Sequence, residues 1–368
     1  MSEGKENIML CCPDLKEYGG VANYYRVIRK HKDLYKEITF FEINIKSQSL
    51  LEILFKATTE IIRFTVQLGN KDVRLIHLNP SFLRNALLRD GVLLILARCF
   101  GKKVIVFWRG WHVPTERTIV RRFSPLFRFV FNRADLTLVL ANEVRRKLLG
   151  IGITHPILIT TTLFDQDLIP KKKALDNHGK TQRLLFMSRL VKEKGIYETI
   201  EAFKILKKEF RNISLDVAGD GPELTKLKKK YEQIDALQFH GHVNDKDKYQ
   251  LMVKSNIFVL PSYREGMPNS ILEAMACGLP IVTCPVGSLK DFFVHGEHGY
   301  LLNNNNPKDL AQLISNLIKD VSLSTKISLN NITYAYRHFS ADKSIRYLNE
   351  AYRAVLNNRI ADLPSAWY

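Results

Sequence analysis

Short apolar runs alternate with longer amphipathic stretches along most of this 368-residue chain. The alternation is typical of parallel strands joined by crossover helices, because a strand covered on both faces needs only a short apolar run. In the first half, helical stretches such as 21–31 and 50–68 separate the apolar runs. The predicted strands there are 8–12, 38–43, 73–77, 103–108, 136–140 and 156–160.

The same alternation restarts after a polar segment, 170–182, whose lack of periodicity predicts a linker. The predicted strands beyond it are 184–187, 214–218, 237–240, 257–260, 280–283 and 300–301, and only helical patterns follow residue 321. The fold class is therefore α/β, with doubly wound, Rossmann-like domains and ligands expected at the carboxyl ends of the strands. The predicted domains are 1–169 and 183–343, followed by a terminal helix in 344–368.

The cysteines and the chain start bear on the compartment. Cys11, Cys12, Cys99, Cys277 and Cys284 show neither CxxC nor Cys/His ligand spacing, which argues against a disulfide framework or a zinc site. The first residues lack the order of a signal peptide, and no apolar run approaches the length of a bilayer span. We therefore expect a cytoplasmic protein.

The charge of the chain is strongly basic, with 55 Lys and Arg against 37 Asp and Glu, or +18. Such an excess favours an anionic partner: nucleic acid, a phosphorylated substrate or an anionic lipid surface. The segment 98–133 alone has nine basic residues and one acidic residue, Glu116. The first half therefore concentrates its charge there.

Two glutamates in the segment 264–280, Glu265 and Glu273, give the strongest chemical signal. Glu265 falls in the turn between the predicted strand 257–260 and a helix whose first turn suits Pro268, and Glu273 follows about one turn inside that helix. One carboxylate suits a sugar hydroxyl and the other a ribose diol, whereas the free N–H groups of the helix start suit a diphosphate. The structural alternative is a solvated Glu273 and a Glu265 favoured by the helix dipole.

The sequence EGMPNSILEAMACGLPIV around these glutamates resembles the signature of the family-4 retaining glycosyltransferases of the GT-B fold, the glycosyl transferases group 1. SRLVKEKG, VAGDGPE and FHGHV extend the resemblance over most of 184–302, and Tyr18-Gly19-Gly20-Val21 and Arg109-Gly110-Trp111-His112 carry it in the first half. It implies two facing Rossmann-like domains with the active site in the cleft between them. The first domain would take the acceptor and the second the nucleotide sugar, with the terminal helix crossing back to the first.

The resemblance also implies a role for each matching residue. Arg189 and Lys194 would hold the donor diphosphate, which suits a bidentate guanidinium and a compact ammonium. Glu265 would meet the donor sugar, and His112 would bind a sugar hydroxyl beside it. The residues implied for donor binding are Gly20, Gly241, Val243, Met267, Asn269, Ser270 and Glu273. From the residues alone, the glycines also fit plain turns and His112 a structural role.

No metal and no cofactor are expected. No Asp-x-Asp motif stands at a strand end, and Asp245-Lys246-Asp247 fits a helix start, so Arg189, Lys194 and helix dipoles would do what a divalent ion does elsewhere. The donor expected first is a UDP-sugar and second a GDP-sugar. The alternatives are a nucleotide-sugar epimerase or a phosphorylase of the same shape, and a nucleic-acid binder, for which no RNA motif or recognition helix is present.

A basic aromatic segment, 117–133, suggests a membrane partner. It interleaves arginines, among them Arg121, Arg122 and Arg128, with phenylalanines, as a helix lying among anionic headgroups does. The alternative is a packing helix with its phenylalanines in the core. Because many members of the family use lipid-linked acceptors, we expect a saccharide or lipid-linked saccharide acceptor and a peripheral position at the inner face of the cytoplasmic membrane. Bacterial surface polysaccharide assembly, for lipopolysaccharide, O-antigen or capsule, would be the pathway.

Overall fold

The computed structural model describes residues 7–17, 19–31, 38–44, 49–170 and 181–368. The chain divides into two compact units. Unit 1 comprises Met1–Thr162 and Ala341–Tyr368, and unit 2 comprises Leu163–Ser340. The sequence analysis ended the first domain at residue 169 and began the terminal helix at residue 344. Residues 171–180 of the predicted linker lie outside the described residues.

Unit 1 is built on a six-stranded parallel sheet in the order β2-β1-β3-β4-β5-β6. Its central strands are buried on both faces. The consecutive residues Met9 and Leu10, whose side chains point to opposite faces of the sheet, are both fully buried. The strands are β1 (Asn7–Pro13), β2 (Ile38–Ile43), β3 (Val73–Leu78), β4 (Lys103–Phe107), β5 (Leu136–Val139) and β6 (Ile157–Ile159).

Seven helices of the described chain belong to unit 1. The last of them comes from the end of the chain and packs on β3, where its Tyr352 hydroxyl lies 2.7 Å from Nδ1 of the buried His77. The helices are α1 (Gly20–Lys30), α2 (Leu50–Leu68), α3 (Arg84–Cys99), α4 (Val113–Thr118), α5 (Ser124–Phe131), α6 (Asn142–Ile151) and α14 (Ala341–Leu356).

Unit 2 repeats the architecture with the parallel order β12-β11-β10-β7-β8-β9. The strands are β7 (Gln182–Met187), β8 (Ile213–Ala218), β9 (Leu237–Gly241), β10 (Ile257–Leu260), β11 (Ile281–Thr283) and β12 (Gly299–Leu301). The helices are α7 (Ile196–Glu209), α8 (Leu224–Lys230), α9 (Asp245–Lys254), α10 (Asn269–Ala276), α11 (Leu289–Phe292), α12 (Pro307–Lys319) and α13 (Val321–His338).

Side-chain caps fix where several unit 2 helices begin. Asn244 Oδ1 accepts the Asp247 amide at 3.0 Å, which confirms a helix start at Asp245. Asn306 caps α12 in the same way through the Lys308 amide, with Pro307 at the first helical position as predicted. The helix α10 begins at Asn269, one residue later than predicted, because Pro268 is its extended N-cap residue and not part of its first turn.

The strand order reverses between β1 and β3 in unit 1 and between β7 and β10 in unit 2. In open parallel sheets, ligands bind beyond the carboxyl ends of the strands at such a switch point. All twelve predicted strands are present, so the sequence located the carboxyl ends of the strands in both sheets. Of the helices that the structure describes, none is both long and apolar enough to cross a membrane.

Candidate functional site

The loop between β7 and α7 carries the two residues that were predicted to hold the donor diphosphate. Arg189 is exposed, and no described residue pairs with its guanidinium, whereas Lys194 is half-buried in a short helical turn just before Gly195. Gly195 has φ of +75°, and a Cβ there would lie 2.3 Å from the Pro261 carbonyl oxygen. The glycine therefore lets this loop lie directly against the chain that leaves β10.

Glu265 lies in that chain, between β10 and α10, as the sequence predicted. Its Oε1 accepts hydrogen bonds from Lys194 Nζ at 2.6 Å and from the Ser262 hydroxyl at 2.7 Å. The Glu265 side chain is only 8% exposed. The ion pair therefore joins two members of the predicted catalytic set across the switch point of unit 2.

Glu273 lies in the second turn of α10, one turn inside the helix as predicted, but its surroundings differ from those expected. It is buried, and its Oε1 accepts from Lys248 Nζ at 2.8 Å. Burial raises the pKa of the Glu273 carboxyl, and the Lys248 charge opposes that rise. Burial acts to lower the pKa of Lys248, but Glu273 and Asp245 raise it. The structure therefore gives Glu273 a buried partner in α9 that the sequence did not indicate.

The remaining donor-binding residues of unit 2 lie on two loops at the same strand ends. Met267, Asn269 and Ser270 occupy the start of α10, and Gly241 and Val243 lie where β9 ends. The Gly241 carbonyl accepts the Gly219 amide at 2.7 Å, which links the loops after β8 and β9.

The glycines of VAGDGPE make close backbone contacts. Cβ atoms at Gly219 and Gly221 would lie 1.9 Å from the Ser188 carbonyl oxygen and 2.4 Å from that of Leu190. Both glycines have positive φ. The turn therefore supports the Arg189 loop through its backbone.

Ser288, in the loop after β11, also belongs to this edge and was missed by sequence reasoning. Its amide donates to the Gly266 carbonyl at 2.9 Å, next to Glu265. Its hydroxyl is buried without a hydrogen-bond partner among the described residues. A Gly-Ser pair in a loop is too common for the sequence to have singled it out.

His112 lies at the start of α4 in unit 1, and the structure gives its ring a cap role. Nδ1 accepts from the Thr115 amide at 3.4 Å and lies 2.9 Å from the Thr115 hydroxyl. Because an amide only donates, a neutral His112 carries its proton on Nε2. That nitrogen is then a donor suited to a sugar hydroxyl, which keeps the predicted role chemically open.

Gly20 is the first residue of α1, with Gly19 as its cap. Tyr18 of the same motif lies outside the described residues. Both glycines line a cavity of about 300 Å³ within unit 1. The structure therefore places Gly20 at the carboxyl end of β1, at the switch point of its own sheet.

The basic segment of unit 1 is not one continuous helix. A π-helical turn, Ile119–Phe123, separates α4 from α5. Phe127 and Phe131 are buried against Trp108, with ring centroids 5.9 and 5.1 Å away. Two further phenylalanines and three arginines of the segment are exposed: Phe123, Phe129, Arg121, Arg122 and Arg128. The core alternative therefore holds for half of the phenylalanines only.

Comparison with known proteins identifies the family. A family model described as "Glycosyl transferases group 1" matches residues 168–335. An uncharacterized glycosyltransferase of Haemophilus influenzae is 31% identical over 357 residues, which are 95% of this chain and 86% of that protein. The chain belongs to the group 1 glycosyltransferase family.

This glycosyltransferase is also similar to proteins at lower sequence identity. The capsular polysaccharide biosynthesis glycosyltransferase CapM of Staphylococcus aureus is 28% identical over 229 residues, which are 60% of this chain and 58% of CapM. Anabaena HepE, solved with UDP and glucose, has a TM-score of 0.72 at 17% identity, over 95% of this chain and 100% of HepE. Sucrose-phosphate synthase from Thermosynechococcus elongatus has a TM-score of 0.76 at 16% identity, over 96% of this chain and 100% of that protein. These likenesses confirm the predicted GT-B fold of two Rossmann-like domains.

Proposed function

We propose that this glycosyltransferase moves a sugar from a nucleotide-sugar donor to a carbohydrate acceptor with retention of the anomeric configuration, without a metal. The observation that carries the proposal is the Lys194–Glu265 ion pair on the same loop as Arg189, whose guanidinium pairs with no described residue. This arrangement combines a cation for a diphosphate, a second cation held at a fixed position and a carboxylate for a sugar hydroxyl. The epimerase, phosphorylase and nucleic-acid alternatives receive no support from the relatives.

The donor's diphosphate is the part that these cations suit best. Arg189 offers a bidentate fork, and Lys194 a point charge that Glu265 holds in place. Both charges would offset the negative charge that develops on the departing nucleotide, so they would contribute more to the transition state than to the ground state. A UDP-sugar is the first candidate, supported by the UDP bound to HepE, and a GDP-sugar the second.

The transfer itself would follow front-face attack. The acceptor hydroxyl would form the new glycosidic bond on the face from which the nucleotide diphosphate departs. Its proton would pass to a phosphate oxygen of the leaving group. Glu265 would hold a hydroxyl of the donor sugar, and the His112 Nε2–H would donate to another oxygen near the reacting carbon.

The test is a donor panel with the anomeric outcome recorded. UDP-sugars and GDP-sugars are incubated with the enzyme and a panel of saccharide acceptors in excess EDTA. Proton NMR follows release of the nucleotide and the coupling constant of the new anomeric proton. An α-linked product from an α-donor is expected, at a rate that EDTA leaves unchanged. A β-linked product would contradict retention, and activity restored only by magnesium or manganese would contradict the metal-free route.

The acceptor belongs by this proposal to surface polysaccharide assembly at the cytoplasmic face of a membrane. CapM acts in capsular polysaccharide biosynthesis, and a putative colanic acid biosynthesis glycosyltransferase of Salmonella typhimurium, WcaL, is 25% identical over 65% of this chain. Such a pathway uses saccharides or lipid-linked saccharides as acceptors. An anionic lipid surface is then the natural partner of a chain with a charge of +18.

The exposed side of α4, α5 and α3 is the surface that we propose meets the lipid. Leu126 and Phe129 are 57% and 58% exposed, and exposed apolar side chains that are grouped on one surface mark a site for a partner or a membrane. Glu116, the one acidic residue of the segment 98–133, accepts a hydrogen bond from Trp111 and pairs with Lys147. The docking surface comprises Leu83, Arg84, Leu88, Val92, Arg117, Val120, Arg121, Arg122, Phe123, Leu126, Arg128 and Phe129.

Vesicle sedimentation decides whether this surface binds lipid. Vesicles with one-third phosphatidylglycerol should bind the protein in low salt, and neutral vesicles should not, because each basic residue near an anionic surface contributes about 1 kcal/mol. The variant Arg121→Ser, Arg122→Ser, Arg128→Ser should lose most of the binding. A matched control, Lys226→Ser, Lys228→Ser, Lys229→Ser on α8, loses the same charge and should bind nearly as well. Equal binding by both variants would contradict the proposal.

A further inference from the structure

The cavity of unit 1 lies at the carboxyl ends of β1, β3 and β4. Its lining includes Gly19 and Gly20 at the start of α1, Asn79 and Ser81 after β3, and Arg109 after β4. A volume of about 300 Å³ is within the range of small-ligand pockets. None of the roles proposed above uses the side chains of this cavity.

Arg109 is the unusual residue of the lining. Its guanidinium carbon lies 4.1 Å from the centroid of the Tyr24 ring and 4.4 Å from that of Phe107. Nε and Nη1 are buried and make no hydrogen bond to any described residue, and no carboxylate of the described chain pairs with them. Buried N–H groups without partners are rare because their lost hydration is not replaced. The aromatic rings thus fix a guanidinium whose positive charge no described carboxylate offsets.

Besides Arg109, the cavity lining holds one further cation and two carboxylates. Arg89 donates to both oxygens of the buried Asp90, at 3.2 and 2.7 Å, so these two charges offset each other. The start of α1 has no acidic residue in its first turn, and its dipole presents positive potential to the same space. Glu17 is the remaining acidic residue of the lining.

We propose that this cavity binds an anionic group of the acceptor, a phosphate or a carboxylate, with the Arg109 guanidinium as its cation. The proposal depends on the glycosyltransferase function proposed above and adds the chemical class of the acceptor. A guanidinium attracts either oxyanion by its charge, which makes a hydrogen bond to it stronger than one between neutral groups. The Ser81 hydroxyl is the neighbouring neutral donor.

A matched series of hexoses tests the charge requirement. Calorimetric titrations in low salt compare glucose 6-phosphate, glucuronate and glucose, which differ mainly in the group at carbon 6. At least one charged sugar should bind at least tenfold more tightly than glucose. The stronger of the two tells whether the site takes phosphate or carboxylate. Binding of neither charged sugar, or equal binding of all three, would overturn the proposal.

Four variants locate the site. Arg109→Met should weaken binding of the preferred sugar at least tenfold, and Arg109→Lys less, because it keeps the charge. Arg74→Met, an exposed arginine of β3 outside the cavity, is the control and should change affinity less than twofold. Glu17→Gln should tighten binding, since it removes a negative charge from the lining. Fluorescence of the tryptophans, all in unit 1, verifies that each variant is folded.

Titration of UDP separates this proposal from the donor site. UDP should bind Arg109→Met as it binds the wild type, and saturating UDP should not displace glucose 6-phosphate. This result would also place Gly20, which lines the cavity, outside the donor site. Displacement by UDP, or unchanged sugar binding by Arg109→Met, would overturn the acceptor proposal. Loss of UDP binding in the Arg189→Ala variant concerns the proposed function alone.

Discussion

At the scale of the residue, the two glutamates of the signature segment differ in what surrounds them. The lysine that pairs with Glu265 is 23% exposed, whereas the lysine that pairs with Glu273 is only 13% exposed. An ion pair at a ligand site can exchange one partner for a substrate group, but a buried pair resists this because each ion alone loses its hydration. Glu273 therefore supports the start of α10 as well as any contact with the donor.

Breaking the buried pair should cost more than removing it altogether. Glu273→Leu alone leaves the Lys248 charge in the interior with Asp245 as its remaining partner, and we expect it to lower the free energy of unfolding of unit 2 by about 2 kcal/mol. The double variant Glu273→Leu, Lys248→Met should recover part of that loss. Urea unfolding by far-ultraviolet circular dichroism measures it, because unit 2 lacks tryptophan. Strictly additive losses in the double variant would show that the pair does not act as a unit.

At the scale of the element, α4 shows how one side chain serves both structure and chemistry. Its cap, His112, uses Nδ1 for the helix and leaves Nε2 for a ligand. The π-helical turn that follows offsets α5 from α4, so that Phe127 and Phe131 reach the Trp108 cluster. Phe129, which lies between those two phenylalanines, is left at the surface.

Two substitutions of His112 separate its roles. Asparagine is among the best helix caps, so His112→Asn should keep stability within about 0.5 kcal/mol while transfer falls at least tenfold. His112→Ala should lose the transfer and also about 1 kcal/mol of stability. Tryptophan fluorescence in urea and turnover with the confirmed donor give the two readouts. Full turnover in His112→Asn would leave the histidine with its structural role only.

The sequence predicted some elements well because their signals are local. All twelve strands are short apolar runs, and Glu265 follows one of them directly, so its place in a strand-to-helix turn could be foreseen. The partners of the site could not be foreseen. Lys248 meets Glu273 from another helix, and Arg109 becomes unusual only because Tyr24 and Phe107 fold around it. Such pairings depend on the three-dimensional path of the chain.

At the scale of the whole molecule, each unit carries its own sheet, core and switch point. The polar interior of unit 1 includes a fully buried histidine, His77, between Tyr352 of α14 and Tyr25 of α1. Burial, assisted by the charge of Arg109, lowers the pKa of His77 to about 3. Burial also lowers the pKa of His155 to about 4.

Unit 1 should therefore be acid-sensitive. As pH falls below 6.5, the unfolded chain binds a proton at His77 but the folded chain does not until about pH 3, so unfolding becomes easier throughout that window. Each unit of pH costs about 1.4 kcal/mol per histidine, or about 2 kcal/mol from pH 6.5 to 5. Tryptophan fluorescence in urea should show this loss, and His77→Gln should lose about 2 kcal/mol less between pH 7.5 and 5. An equal pH dependence in both proteins would contradict the assignment.

The most direct test of the account is the binding of UDP to unit 2. Isothermal titration should give a measurable affinity for the wild type in the presence of EDTA, and at least tenfold weaker binding for Arg189→Ala, because a charge-assisted contact to phosphate contributes about 1.5–3 kcal/mol. Arg183→Ala, an exposed arginine of β7 outside the proposed site, is the matched control and should bind UDP within twofold of the wild type. Equal affinities of all three proteins would contradict a donor site at Arg189, and absence of binding would contradict UDP as the nucleotide.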